Sequence, residues 1–175
     1  MPKEMQYAAQ RFREEMERVD ELAHVLLKGH LLIEEALTRI LEQYVFHREH
    51  LGEARLTFNQ KMHLARSLCL RKCAFGEWDL IAAINSLRNE LAHRLQSPER
   101  EKRFSRVKAI YLREIEQFGE LVEVVKGQTD ANVLMNSMAH CTGFLATFEA
   151  DSKALRGMIH ALDRNLNPEL PEFEL

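Results

Sequence analysis

Residues 88–93 read Arg-Asn-Glu-Leu-Ala-His, and no other stretch of the chain concentrates as much reactive chemistry. A fixed cation, a carboxamide and an imidazole that titrates near neutrality fall within two helical turns. Arginine neutralises phosphate charge through its fork of N–H donors, and histidine moves protons near pH 7. Cleavage of a phosphodiester without a metal ion would use these groups. A plainer role also fits, because Arg and His near a helix carboxyl end are favourable cations beside the negative pole of the helix dipole.

Spacing sharpens the picture. At roughly 100° per residue, Leu80, Ile84, Leu87 and Leu91 share an arc of ~60° and form a core-facing stripe. Asn85, Arg88, Asn89, Ala92 and His93 fall on the other side. That second stripe is polar, yet it lacks the Glu/Lys pairs of a solvated helix face. Asn89 and His93 are one turn apart and can share a ligand. Arg88 and His93 are ~140° apart, so they converge only if the Arg88 side chain swings inward or a second copy approaches. Arg94, Arg100 and Arg103, with Lys102 and Arg106, form a local cluster of cations of the kind that contacts phosphates.

These residues must be positioned by helices. The four prolines stand at 2, 98, 168 and 171, so nothing forces a break before Ser97. There are no alternating Val/Ile/Thr runs and no Asn-Gly or Asp-Gly turns, which predicts an all-α chain. One helix is expected over 3–17 and a second over 20–46. Leu22, Leu26, Gly29, Ile33, Leu37, Ile40 and Tyr44 trace the seam of the second. Gly29 there lets another backbone come close, at about 1 kcal/mol against Ala. Glu35 is expected to turn toward neighbouring helices, and a buried carboxylate needs a partner such as Arg88. A polar connection follows over 47–56. Thr57 then caps a helix with Met62, Ala65 and Leu68 or Cys69 inward, and the motif helix begins near Trp78.

Ser97-Pro98-Glu99 is a helix start, with serine as N-cap and proline at the first position. The helix it opens repeats apolar residues at Phe104, Val107, Tyr111, Phe118, Leu121 and Val125, interrupted by Glu114. Residues 127–130 turn the chain into a last helix reaching about 165. Its seam is Leu134, Met138, Cys141, Leu145, Phe148, Ser152, Leu155, Ile159 and Leu162. Two long seams joined by a short turn predict an antiparallel helical hairpin over 98–165, which serves either core packing or a protein partner. The acidic, proline-broken tail after 165 is expected to be loose. The 175 residues read as one domain.

Composition narrows the function classes. A net charge of −3 gives no global attraction to nucleic acid, so any RNA contact must be local. Three cysteines, an odd number, suit a reducing compartment better than a disulfide framework. Cys69 and Cys73 lie one turn apart but lack the second half of a zinc site, and His47, Glu49 and His50 lack a further ligand. No metal or cofactor is expected. No apolar run is long enough to span a membrane. The first residues lack the apolar stretch of a signal peptide, which predicts a cytoplasmic protein.

The segment Arg88-Asn89-Glu90-Leu91-Ala92-His93 resembles the Arg-polar-x-x-x-His signature of the HEPN superfamily. The upstream helices, Gly29 to Leu41 and Leu56 to Leu70, look like that family's. The arrangement is particularly similar to the mannitol-operon repressor branch. The resemblance covers about residues 20–96 and leaves the 98–165 hairpin unexplained. It implies a HEPN-like helical bundle that works as a homodimer. It also implies a metal-independent endoribonuclease in which a ribose 2′-hydroxyl attacks the adjacent phosphate, in a toxin–antitoxin or defence setting. Arg88 would clamp the phosphate, His93 would move or orient protons, and Asn85, Asn89 and Glu35 would support them. Two motif copies at a two-fold axis would supply the acid, base and cations that one chain lacks. The alternative within the resemblance is a non-catalytic transcriptional regulator or interaction protein. Arg88 and His93 would then be fold determinants packed against Glu34 or Glu35.

Overall fold

The computed structural model of the chain describes residues 3–17, 20–70, 73–93 and 97–169. Among these residues the secondary structure is entirely helical, so the chain is all-α. The elements are α1 (Lys3–Glu17), α2 (Glu21–Glu42), α3 (Arg48–Glu53), α4 (Phe58–Ser67), α5 (Glu77–His93), α6 (Pro98–Glu114), α7 (Gly119–Lys126) and α8 (Asp130–Leu166).

Helix α2 is the axis of the bundle. Its start is capped by Asp20, which accepts from the Ala23 amide at 2.9 Å. Leu26, Ile33, Leu37 and Ile40 are buried along the expected seam. Helix α8 is its most extensive packing partner and runs beside it in the same sense. Arg39 meets Glu149 at 3.0 Å, and the Tyr44 hydroxyl meets Ser152 at 3.1 Å. Gly29 does serve a close approach, but of a side chain rather than a backbone. A Cβ there would overlap the Met138 sulfur. At the carboxyl end of α2, the buried Arg156 donates to the carbonyls of Gln43 (2.9 Å) and Val45 (3.1 Å). The Gln43 carbonyl, at the C-cap, is one of the acceptors that a helix end leaves open.

Helices α4 and α5 close the other side of α2. Thr57 and Gln60 form a capping box that starts α4. Phe58, Met62, Ala65 and Cys69 point inward. The single tryptophan, Trp78, is fully buried at the start of α5. It stands edge-on to Phe144 at 5.3 Å and Phe148 at 6.2 Å, which pins α5 to α8.

Three stretches depart from the sequence expectation. Helix α2 ends at Glu42, with Gln43 as its C-cap, rather than at 46. The connection over 47–56 contains the short helix α3, which buries no residue. The helix from Pro98 does not continue to Val125: it ends at Glu114, and α7 begins at Gly119. Ile115 takes the buried position after Tyr111, and the chain tightens into three-residue turns such as Phe118 N–H to Ile115 C=O at 2.8 Å. Phe118 and Leu121, expected in the seam, are exposed. The Glu114 carboxylate that interrupts the heptad fills the space where a Cβ on Gly76 would sit. An acid there faces the positive end of α5. Helix α6 packs chiefly on α5, and α8 chiefly on α2, so both segments of 98–165 are built into the core.

Candidate functional site

The polar stripe of α5 is graded from interior to surface. Asn85 is half-buried, and its Oδ1 accepts from Nε2 of His30 on α2 at 3.1 Å. His30 is buried and stacks on Phe58, with ring centroids 4.1 Å apart and planes 25° apart. The bond to an oxygen acceptor fixes the proton on Nε2. Burial pushes the His30 imidazole below its ordinary value, and the nearby Arg88 cation adds to this. The Asn85 hydrogen bond and the Glu34 charge oppose it. One turn on, Arg88 is half-buried and donates to Asn89 Oδ1 at a long 3.5 Å. Asn89 and Ala92 are exposed. The row therefore runs from a neutral buried histidine, through a carboxamide, to a guanidinium at the surface. His93 is the last residue of α5, and its side chain lies outside the described part of the structure.

Glu90, inside the motif, has a different task. It accepts from the Ser97 hydroxyl at 2.9 Å and meets Arg103 at 3.4 Å. Arg103 also donates to the Ser86 hydroxyl. This cluster joins α5 to α6, so Arg103 is held against the bundle. Arg100 is held too. It grips Asp20 at 2.6 Å and keeps that carboxyl below the usual carboxylate range. Arg94 lies outside the described residues. Of the basic positions expected to form one patch, Arg100, Lys102 and Arg103 have intramolecular carboxylate partners, Lys102 with Glu99 at 3.6 Å.

Glu35 is not turned toward the other helices. It is exposed, and Glu34 makes the inward contact, with Lys61 of α4 at 2.8 Å. The reason is rotational: Glu34 follows His30 by one turn on the α4-facing side, whereas Glu35 shares the outer stripe of α2 with Lys28 and Leu32. His47 and His50 are exposed and sit beside Glu49 (3.4 Å) and Glu53 (3.2 Å). Among the described residues, no three His, Cys, Asp or Glu side chains are grouped to hold a metal ion.

Sequence reasoning passed over His30. The signal was present, because Leu26, His30, Ile33 and Leu37 fall at 4-3-4 spacing, which places an imidazole at a core position of an otherwise apolar seam. No family model, curated protein or solved structure matches this chain.

Proposed function

We propose that the chain is a HEPN-like, metal-independent endoribonuclease that works as a pair of copies. The observation that carries this reading is Arg88, half-buried beside a histidine held neutral and continuous with exposed Asn89 on the last turns of α5. Arg88 binds the scissile phosphate. His93 transfers the proton between the 2′-hydroxyl and the leaving 5′-oxygen, giving a 2′,3′-cyclic phosphate. One chain offers one such arginine and one such histidine on α5, so a second copy completes the acid and base pair. His30 and Asn85 hold the base of the row and fix the rotation of α5 against α2.

The test is cleavage of a mixed RNA pool in EDTA, with product ends assayed for cyclic phosphate. His93→Ala should lower the rate by on the order of 10²–10⁴. Arg88→Lys should not restore Arg88→Ala, because an ammonium lacks the planar fork. A folded, dimeric wild type that leaves RNA intact removes this reading. One finding favours a second reading, a non-catalytic helical regulator that acts through protein partners. Arg100, Arg103 and Glu90 serve helix packing rather than a free basic surface.

A further inference from the structure

The carboxyl end of α2 opens onto a cleft of about 450 Å³ between α2, α3 and α8. Among the described residues four cations line it: Arg39 of α2, Arg48 of α3, and Lys153 and Arg156 of α8. Two carboxylates stand with them, Glu42 and Glu149. Four positive charges against two negative leave the lining with an excess of two, in a chain whose net charge is −3. A local reversal of sign of this kind draws an anion to one place on an acidic surface.

The negative pole of a helix ordinarily repels an anion. Here Arg156 offsets it. Its guanidinium is buried, donates to the Gln43 and Val45 carbonyls, and lies 5.4 Å from the centre of the Phe46 ring. Glu149 is engaged as well, by Arg39 at 3.0 Å and by Lys153 at 3.0 Å. Arg48 and Lys153 are exposed at the mouth. Gly157 also lines the cleft. A glycine inside a helix costs stability, and packing does not demand one at this position. A Cβ there would meet no described atom within 4 Å, so the absent side chain leaves room in the cleft.

We propose that this cleft binds a small-molecule phosphate monoester. A monoester carries a charge of about −1.5 to −2 at pH 7, which matches the excess of two on the lining. A carboxylate or a phosphodiester carries only one. The planar fork of an arginine suits phosphate oxygens. The volume falls within the roughly 300–1,000 Å³ of small-molecule pockets, which leaves space for an organic body beyond the phosphate. Glu42 stands roughly 18 Å along α2 from His30 at 1.5 Å per residue, so the cleft is separate from the candidate nuclease site.

The test is an NMR titration of the full chain with AMP, a monoester. Adenosine and the methyl ester of AMP, a diester, keep the organic body while removing the charge or reducing it to one. AMP should shift the Gly157 and Gln43 amides, and both controls should bind about ten-fold more weakly or not at all. Arg48→Gln and Lys153→Gln, at exposed positions, should keep the circular dichroism of the wild type. Each should weaken AMP binding about ten-fold, as loss of a charge-assisted hydrogen bond implies. Gly157→Leu fills the cleft without changing its charge. It should fold, since leucine is the better helix former, and it should lose AMP. A wild type whose two amides stay unmoved at about 10 mM AMP, well above a millimolar Kd, overturns the proposal. So does a methyl ester or adenosine that binds as well as AMP, or a Gly157→Leu protein that still binds AMP as the wild type does.

Discussion

His30 on α2 donates to Asn85 on α5 across 3.1 Å, and this bond joins the axis of the bundle to the helix that carries the Arg–His motif. The imidazole is buried, stacked on Phe58 and close enough to Arg88 to feel its charge. It serves the fold as a neutral ring, which gives it a pH signature.

The sign follows from linkage. In the unfolded chain His30 protonates near 6.5, while in the folded chain its value is lower. The unfolded state therefore binds the extra proton first as pH falls. Stability is complete above about 6.5 and declines as pH drops from there toward the folded value. Proton NMR should show His30 titrating below the ordinary imidazole value. His30→Gln should flatten the decline in that window. An unchanged pH profile in the variant would locate the acid sensitivity elsewhere.

Glu90 holds Ser97 and Arg103 at the joint between α5 and α6. Replacing it with Gln leaves the half-exposed guanidinium without its carboxylate. The expected loss is about 1–2 kcal/mol, since hydrogen bonds to charged groups are worth more than neutral ones. For a domain of this size that is a fall in Tm of roughly 2–8 °C, readable by the fluorescence of buried Trp78. A thermally silent Glu90→Gln would mean that the joint is held by apolar packing alone.

At Gly29 two effects compete. Alanine gains about 1 kcal/mol of helix propensity, but its methyl meets the Met138 sulfur, and overpacking costs about 1–3 kcal/mol. Gly29→Ala alone should be mildly destabilising. Met138→Ala alone should cost about 2–5 kcal/mol through the cavity it leaves. The double variant should be more stable than the sum of the two, by about 1 kcal/mol or more, because the new methyl fills part of that space. Chemical denaturation of the four proteins gives the coupling directly, and additivity would refute the contact.

Asp20 both caps α2 and grips Arg100. Asp20→Ala should therefore cost about 1–2 kcal/mol, most of it the cap. Arg100→Gln should cost about 0.5 kcal/mol, since Asp20 is partly exposed and the pair is screened. Raising salt should shrink the second loss and leave most of the first. Equal losses in both variants would show that the ion pair, not the cap, dominates.

Apolar periodicity made the fold legible because most of these helices have one buried side. Leu26, Ile33, Leu37 and Ile40 announced α2, Thr57 and Ser97 announced two helix starts, and the α8 seam was visible as far as Ser152. Past that point periodicity misled, since Ile159 and Leu162 keep the spacing yet are exposed. Spacing says which residues share a face but not whether another element covers it. The break after Glu114 was illegible for a related reason. No proline marks it, Gly119 comes only at the first position of α7, and Ile115 is drawn into the core just before the break. At the candidate site, Arg88, Asn85 and Asn89 were legible as one stripe. His30 and the swap of Glu34 for Glu35 depended on how α2 is rotated against α4 and α5, which one helix's sequence does not state.

The two ends of α2 are held by arginines that the ribosome makes much later. Arg100 secures the cap at one end, and Arg156 holds carbonyls at the other, 113 residues after Gln43. Helix α8, the chief cover of the α2 seam, is the last of the described helices. At elongation rates of about 5–20 residues per second, α2 emerges roughly 5–20 s before the residues that complete it. During that interval its leucines and isoleucines have no native cover. A chain stopped before α8 therefore leaves the α2 seam uncovered, the kind of apolar surface that chaperones and proteases engage.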